Sequence, residues 1–173
     1  MELCPPGPEH AEIFHSWRSQ ALAQAFNPIR PLSVDELREQ LKTYRHELSE
    51  LRENEQYRWF LKSEGEFVGQ VAMSGVNLMM GTAEIGYTVG AAYQGRGLAT
   101  VGVALLLDRV FSQTTLRRLF AHVHEKNAAS IRVLEKLGFT REGLLREHYI
   151  VNGAPANEVA FGILRREWSG VRS

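Results

Sequence analysis

The chain is short of nearly everything that would mark it for the cell exterior, a membrane or a nucleic acid. It has one cysteine, Cys4, in 173 residues, so no disulfide can form within the chain and a reducing compartment fits best. It has no excess charge of either sign: twenty Lys and Arg stand against twenty Asp and Glu. That balance excludes the broad basic field of a general nucleic-acid or anionic-membrane binder. No long apolar run is present; Val101 to Leu107 is broken by Asp108 and is far too short to span a bilayer. The start, MELCPPGPEH, has neither a cationic lead nor an apolar centre before its prolines, so it does not read as a secretory signal. No internal repeat or low-complexity tract appears, and 44% hydrophobic with 23% charged residues is ordinary globular composition. These features are expected of a cytoplasmic chain that folds as one domain over residues 1–173.

Three prolines among the first eight residues argue against a strand at the start, because proline lacks an N–H donor, so residues 1–9 read as irregular. Glu9 to Gln24 has helical spacing, with Ile13, Phe14, Trp17 and Leu22 as its apolar members and Asn27-Pro28 as its end. Ser33-Val34-Asp35-Glu36 has the form of a capping box. The stripe Leu37, Leu41, Tyr44, Leu48, Leu51 then predicts a second helix, with the charged stretch Glu47 to Glu55 as its solvated face and end.

After Asn54 the period changes. Tyr57 to Ser63, Glu66 to Ser74 and Thr82 to Val89 read as strands in a meander, and Gly97 to Phe111 as a helix apolar on most faces. Arg118 to His124 reads as a strand and Asn127 to Leu137 as a helix, N-capped by Asn127 and ended by Gly138. Two last strands, Thr140 to Ile150 and Asn157 to Leu164, flank the turn Asn152-Gly153. The pattern is that of an α/β domain with a mixed sheet.

The chemistry concentrates in one strand–turn–helix segment, Glu84-Ile85-Gly86-Tyr87-Thr88-Val89 followed by Gln94-Gly95-Arg96-Gly97-Leu98-Ala99. A glycine-bearing turn that opens a helix offers backbone N–H groups at the positive end of a helix dipole, and so suits an anion. Gly95 and Gly97 have no side chain to hold a phosphate off the backbone, and Arg96 can add charge; a diphosphate is the natural guest. A dinucleotide fingerprint would need a small residue where Thr100 stands, and a Walker A loop would need Gly-Lys-Ser/Thr where the chain has Gly-Leu-Ala.

The segment resembles the acetyl-CoA loop of the GCN5-related N-acetyltransferases (GNAT), whose pattern Gln/Arg-x-x-Gly-x-Gly/Ala is filled by Gln94, Gly97 and Ala99. Asn127-Ala128-Ala129-Ser130 followed by Glu135-Lys136-Leu137-Gly138-Phe139 is similar to a second signature of that superfamily. The similarity runs from about Trp17-Arg18 to Arg166-Glu167-Trp168, and its branch is that of the ribosomal-protein N-acetyltransferases. The resemblance implies a mostly antiparallel central sheet whose two middle strands, Glu84 to Val89 and Arg118 to His124, splay apart, flanked by helices. It implies acetyl-CoA as co-substrate, its pyrophosphate on Gln94, Gly95, Arg96, Gly97, Leu98, Ala99 and Thr100, and its thioester beside the backbone of Tyr87, Thr88 and Val89. It implies Asn127 on the pantetheine arm and Ser130 near the sulfur, with no metal.

Direct attack of an amine on the thioester needs a base and an acid, and Glu84 and Ser130 are the candidates, with Tyr149 a second possible acid. An α-amine of pKa about 7.7–8.0 is already partly neutral at pH 7, whereas a lysine at about 10.4 needs roughly 4–5 kcal/mol to lose its proton. A weak, half-exposed base therefore favours a protein or peptide N-terminus as the acceptor. A small-molecule amine and a silent CoA-binding module are the alternatives. Many relatives are homodimers, but no self-complementary patch in the sequence compels one. His122 and His124 have the spacing of a metal pair without a third ligand nearby, and His148 reads as a surface residue near a strand end.

Overall fold

The computed structural model describes residues 1–27 and 30–170. Seven strands form one sheet in the order β1-β2-β3-β4-β5-β7-β6. They are β1 Glu2–Cys4, β2 Tyr57–Ser63, β3 Glu66–Asn77, β4 Thr82–Val89, β5 Arg118–His124, β6 Thr140–Val151 and β7 Ala154–Leu164. The helices are α1 Ala11–Ser19, α2 Ala21–Phe26, α3 Val34–Leu41, α4 Leu98–Gln113 and α5 Ala128–Lys136. Every neighbouring pair is antiparallel except β4 with β5, which is parallel.

The period-2 alternation of the strands divides the core in two. In β2, Tyr57, Trp59 and Leu61 belong to a large apolar cluster with Val103, Leu106, Leu107 and Val110 of α4, together with Leu119 and Phe161. Phe60, between Trp59 and Leu61, belongs to the second cluster with Phe14 and Trp17 of α1 and Leu37 and Leu41 of α3. Thus α4 and α5 lie on one face of the sheet and α1 and α3 on the other. Gly102 lets α4 approach closely, because a Cβ there would stand 2.6 Å from Leu61 Cδ1.

Strands β2, β4 and β5 have the bounds their sequence patterns predict, and the turn Asn152-Gly153 has both residues at positive φ, +50° and +79°. Four expectations are corrected. A first strand is present, paired with Phe60 to Lys62 of β2; it ends at Cys4, before the first proline, and so never needs the donors the prolines lack. The predicted Glu9–Gln24 helix is broken at Gln20, whose backbone is extended at ψ 144°. The Gln20 side chain donates to the Val89 carbonyl at 3.1 Å, and Gln24 donates to Arg18 O at 2.7 Å, so tertiary ties replace helical continuity. The capping box at Ser33 and Glu36 forms, with Ser33 N donating to Glu36 Oε2 at 2.8 Å.

The helix it starts stops at Leu41, however, and Tyr44 to Leu51 is not helical. Arg45 instead makes a parallel bridge to Tyr57, accepting from Arg58 N at 2.8 Å. The apolar stripe still marks burial: Tyr44 and Leu48 are buried, but on an extended chain beside the sheet. For the same reason the charged stretch Glu47 to Glu55 is a loop, not a helix face. Pro28, expected to close the first helical stretch, lies outside the described residues; Asn27 caps α2.

Candidate active site

The site begins with a defect in the sheet. β4 pairs with β5 over only three rungs, Thr82–Arg118, Ala83–Leu119 and Glu84–Phe120, while β3 stays paired with β4 to Val89 and β7 with β5 to His124. Past Glu84 the two middle strands therefore diverge, leaving the β5-facing edge of Tyr87, Thr88 and Val89 without strand partners. A cavity of about 340 Å³ opens there, and these three residues line it.

The loop after β4 supplies its floor. Gln94 Nε2 donates to Val89 O at 3.2 Å, which ties the loop to the strand end. Gly95 and Gly97 adopt φ of +77° and +76°, a conformation glycine takes at little cost, and nothing stands where their Cβ atoms would be. The N–H of Val101 makes a helical bond to Gly97 O, so those of Leu98, Ala99 and Thr100 precede the α4 ladder. Those three residues line the cavity with Gln94, Gly95 and Gly97, and the positive end of a 16-residue helix faces the opening. Such a cradle fits a diphosphate.

Arg96 is placed differently from its neighbours. Its guanidinium donates to Ala92 O at 3.1 Å and lies over the Tyr93 ring, and it is not among the cavity-lining residues. The cations that line the cavity are Arg132 and Lys136, one turn apart on α5. The sequence reading took Lys136 only as part of the Glu135–Phe139 signature and did not single out Arg132; their i, i+4 spacing was the available signal.

Across the gap, Asn127 caps α5 by accepting from Ser130 N at 3.1 Å. Ser130 Oγ lies 2.6 Å from the Tyr87 hydroxyl, and all three residues line the cavity. Burial pushes the Tyr87 phenol up to about 12, so it stays neutral and can orient the serine.

Glu84 stands apart from this cavity, on the opposite sheet face at the last β4–β5 rung. Its Oε1 is 2.9 Å from His122 Nδ1. His148 packs on His122 with ring centroids 5.6 Å apart and places Nδ1 2.5 Å from Glu158 Oε2. His148 is an exposed residue near the end of β6, as its sequence position suggests, and it gains these two partners there. The Tyr149 hydroxyl donates to Phe26 O at 3.0 Å, which ties β6 to the end of α2. Burial pushes that phenol up, to about 12, with Glu158 adding to the shift. His124 Nδ1 accepts from Lys126 N, so His122 and His124 have separate partners; among the described residues no three His, Cys, Asp or Glu side chains are grouped to hold a metal.

A roof also forms that sequence reasoning did not assign to the cofactor: Gln20, Leu22, Ala23 and Asn27, around α2, complete the cavity. The Gln20 break swings α2 over the end of β4.

The family model described as "Acetyltransferase (GNAT) domain" matches residues 1–140. The chain belongs to the GNAT family. A GNAT relative, the "Uncharacterized N-acetyltransferase p20" of Bacillus licheniformis, is 29% identical over 163 residues, 94% of this chain and 91% of its own length. The Spermidine N(1)-acetyltransferase of Escherichia coli (strain K12) is 30% identical over 118 residues, 68% of this chain and 63% of its own. Among solved structures, "Mycobacterium smegmatis RimJ in complex with CoA-disulfide" superposes with a TM-score of 0.83 at 26% identity, covering 95% of this chain and 82% of that one. The mixed, mostly antiparallel sheet flanked by helices is the GNAT fold. The protein is an acetyl-CoA-dependent N-acetyltransferase. No helix among the described residues is long and apolar enough to cross a membrane.

Proposed function

We propose that the acceptor is the α-amine of a protein or peptide N-terminus, with transfer going directly from acetyl-CoA to the amine. The observation that carries this reading is an absence of acid where a polycation would need it. From Ile13 through Val34, the stretch that includes the cavity roof, the sequence has no Asp or Glu. The carboxylates near the gap are engaged: Glu84 with His122, Glu158 with His148, and Glu125 with Asn157 Nδ2 at 3.0 Å. A polyamine carries several ammonium charges and calls for several unengaged carboxylates. A peptide N-terminus carries one charge and leads into a neutral backbone that can follow an open sheet edge.

Acetyl-CoA supplies an acetyl group already activated as a thioester. The residues suited to hold it are the Gln94–Thr100 loop for the pyrophosphate and the unpaired edge of Tyr87, Thr88 and Val89 for the arm, with Asn127 and Ser130 opposite. Ser130, oriented by Tyr87, gives its proton to the departing sulfur. Glu84 draws off the proton that the amine loses. Because an α-amine is already partly neutral near pH 7, this half-exposed carboxylate has little of the deprotonation to drive.

The test offers the protein acetyl-CoA with four acceptors: a peptide with a free N-terminus, the same peptide with its N-terminus blocked and one lysine free, spermidine, and an aminoglycoside. The expected result is thiol release and product mass on the first peptide at a kcat/KM at least tenfold above the others. Preferential turnover of spermidine would overturn the reading. Thermal stabilisation by CoA with no turnover of the free N-terminus would overturn it as well.

A further inference from the structure

The sheet face opposite α4 and α5 carries a cluster that the cofactor cradle does not explain. Glu84 from β4, His122 from β5, His148 from β6 and Glu158 from β7 come from four strands and meet as two carboxylate–imidazole pairs whose rings touch. Their placement relative to the gap is specific. Glu84 occupies the last rung where β4 and β5 are paired, and His122 is the first residue on the same face of β5 beyond that rung. Its ring thus stands where the strands begin to part, and the corresponding β4 position is Gly86, exposed and without a side chain to fill the opening. The ring is one-quarter exposed, so it can meet a small group entering the gap while its Nδ1 stays on Glu84.

The second pair is aimed there by backbone that departs from regular pairing. The β6–β7 ladder shifts register between Leu145 and Tyr149, and inside that bulge Glu147 has φ of +49°. A bulge re-aims side chains, and a non-glycine residue in the left-handed region is held there only where its surroundings fix it. Asn157 secures it by accepting from Glu147 N at 2.8 Å. The next residue is His148. His122 is paired across the ladder with Ala160, whose small side chain leaves room for His148 to lean over β7 onto the His122 ring.

We propose that His122 is the immediate proton acceptor of the transfer, that Glu84 is its positioning residue, and that His148 with Glu158 forms the way out to solvent. This rests on the acetyl-transfer reading above and refines the part given there to Glu84. With Nδ1–H donated to the Glu84 carboxylate, His122 presents Nε2 as a lone pair. As the amine nitrogen bonds to the acetyl carbon and the carbon–sulfur bond breaks, Nε2 takes the proton released from that nitrogen. The imidazolium so formed is paired with Glu84, and Ser130 gives the sulfur its proton. His122 then passes its proton to solvent on the side of the half-exposed His148 ring, and Ser130 regains one, so the cycle closes with no redox change. The charged and titratable groups facing His122 are Glu84 from β4, His148 from β6 and Glu158 behind it on β7. His122 must be neutral to act, so kcat/KM falls as acid protonates it.

The experiment compares wild type, His122→Gln and Glu84→Gln by CoA affinity and by the pH profile of kcat/KM. His122→Gln is expected to lower kcat by about 100-fold, the scale of a lost general base, to abolish the acid limb, and to leave the CoA dissociation constant within about twofold. Glu84→Gln is expected to lower kcat about tenfold and to keep an acid limb, because His122 is still there to take the proton. A His122→Gln enzyme within about threefold of wild type, with its acid limb unchanged, would overturn the proposal, as would a Glu84→Gln enzyme that is as slow as His122→Gln and has lost its acid limb. Thermal melts and CoA binding establish that both variants are folded. The kinetics use whichever amine the wild type turns over, so an error in the choice of acceptor shows in the acceptor panel and not here.

Discussion

The two halves of this site are built by different means. The side proposed for the cofactor is made of backbone: an unpaired strand edge, two left-handed glycines, the start of α4 and an asparagine cap, almost all within residues 87–130. The side proposed for the acceptor is made of side chains brought together across the sheet: Tyr149 on Phe26, Glu84 on His122, His148 on Glu158. The first holds a ligand by groups that every residue possesses, so its requirement is for small residues and a cap at fixed spacing. The second works through particular functional groups, and a neighbouring enzyme of the same fold can exchange them without losing its cofactor.

The largest effect that would sharpen this division comes from Gly97→Val. A β-branched residue forced to φ +76° is strained by about 1–3 kcal/mol, so CoA affinity is expected to drop about 10–100-fold while the apparent KM of the amine hardly moves. Calorimetric titration checks the first and initial rates the second; a change confined to the amine KM would erase the division. Next is the converse on the roof. Leu22→Glu with Asn27→Asp gives the cavity two unengaged carboxylates, and the preference for spermidine over the peptide, as a ratio of kcat/KM, is expected to rise by about 5–10-fold, the worth of roughly 1 kcal/mol of partly screened attraction.

Tyr87 belongs to both halves, since it lines the gap and holds Ser130. Removing its hydroxyl in Tyr87→Phe is expected to cost about 1 kcal/mol of stability near pH 8 and a several-fold loss of kcat. The pH dependence has a definite sign. Burial raises the folded-state phenol from 10 to about 12, so its contribution is present below pH 10 and is lost as pH rises through 12. The deficit of Tyr87→Phe against wild type should therefore shrink between pH 10 and 12, measured by denaturant unfolding at each pH. The smallest effect is expected at a site remote from both halves. Glu142 receives two bonds from Arg118, at 2.5 and 2.6 Å, which hold its carboxyl below the usual range. Glu142→Gln should cost under about 1 kcal/mol at pH 7, a cost that fades as pH falls and the wild-type carboxyl is protonated, with neither CoA affinity nor kcat altered.

This contrast also explains what could be read in advance. The glycine loop, the Asn127 cap and the bounds of β2, β4 and β5 depend on short-range signals, and each was legible in the sequence. The stripe from Leu37 to Leu51 foretold which residues are buried but not their backbone, because a period near 3.5 was continued by a chain that bridges β2 after Leu41. The break at Gln20 was not legible at all: its cause is a carbonyl 69 positions away. The same holds for the pairing of Glu84 with His122, which a parallel strand contact creates across 38 positions. Arg96 was legible as a cation beside the loop, yet the nearer ring of Tyr93 takes it, and Arg132 and Lys136 face the cavity instead.

The central claim is that cofactor capture and amine activation are separable. It is tested most directly by titrating CoA into wild type, Gly97→Val and His122→Gln in one calorimetric series. The account predicts that Gly97→Val binds about 10–100-fold more weakly, as its backbone strain requires, and that His122→Gln binds as wild type does. Equal binding by all three proteins, or a loss in His122→Gln as large as that in Gly97→Val, would contradict it.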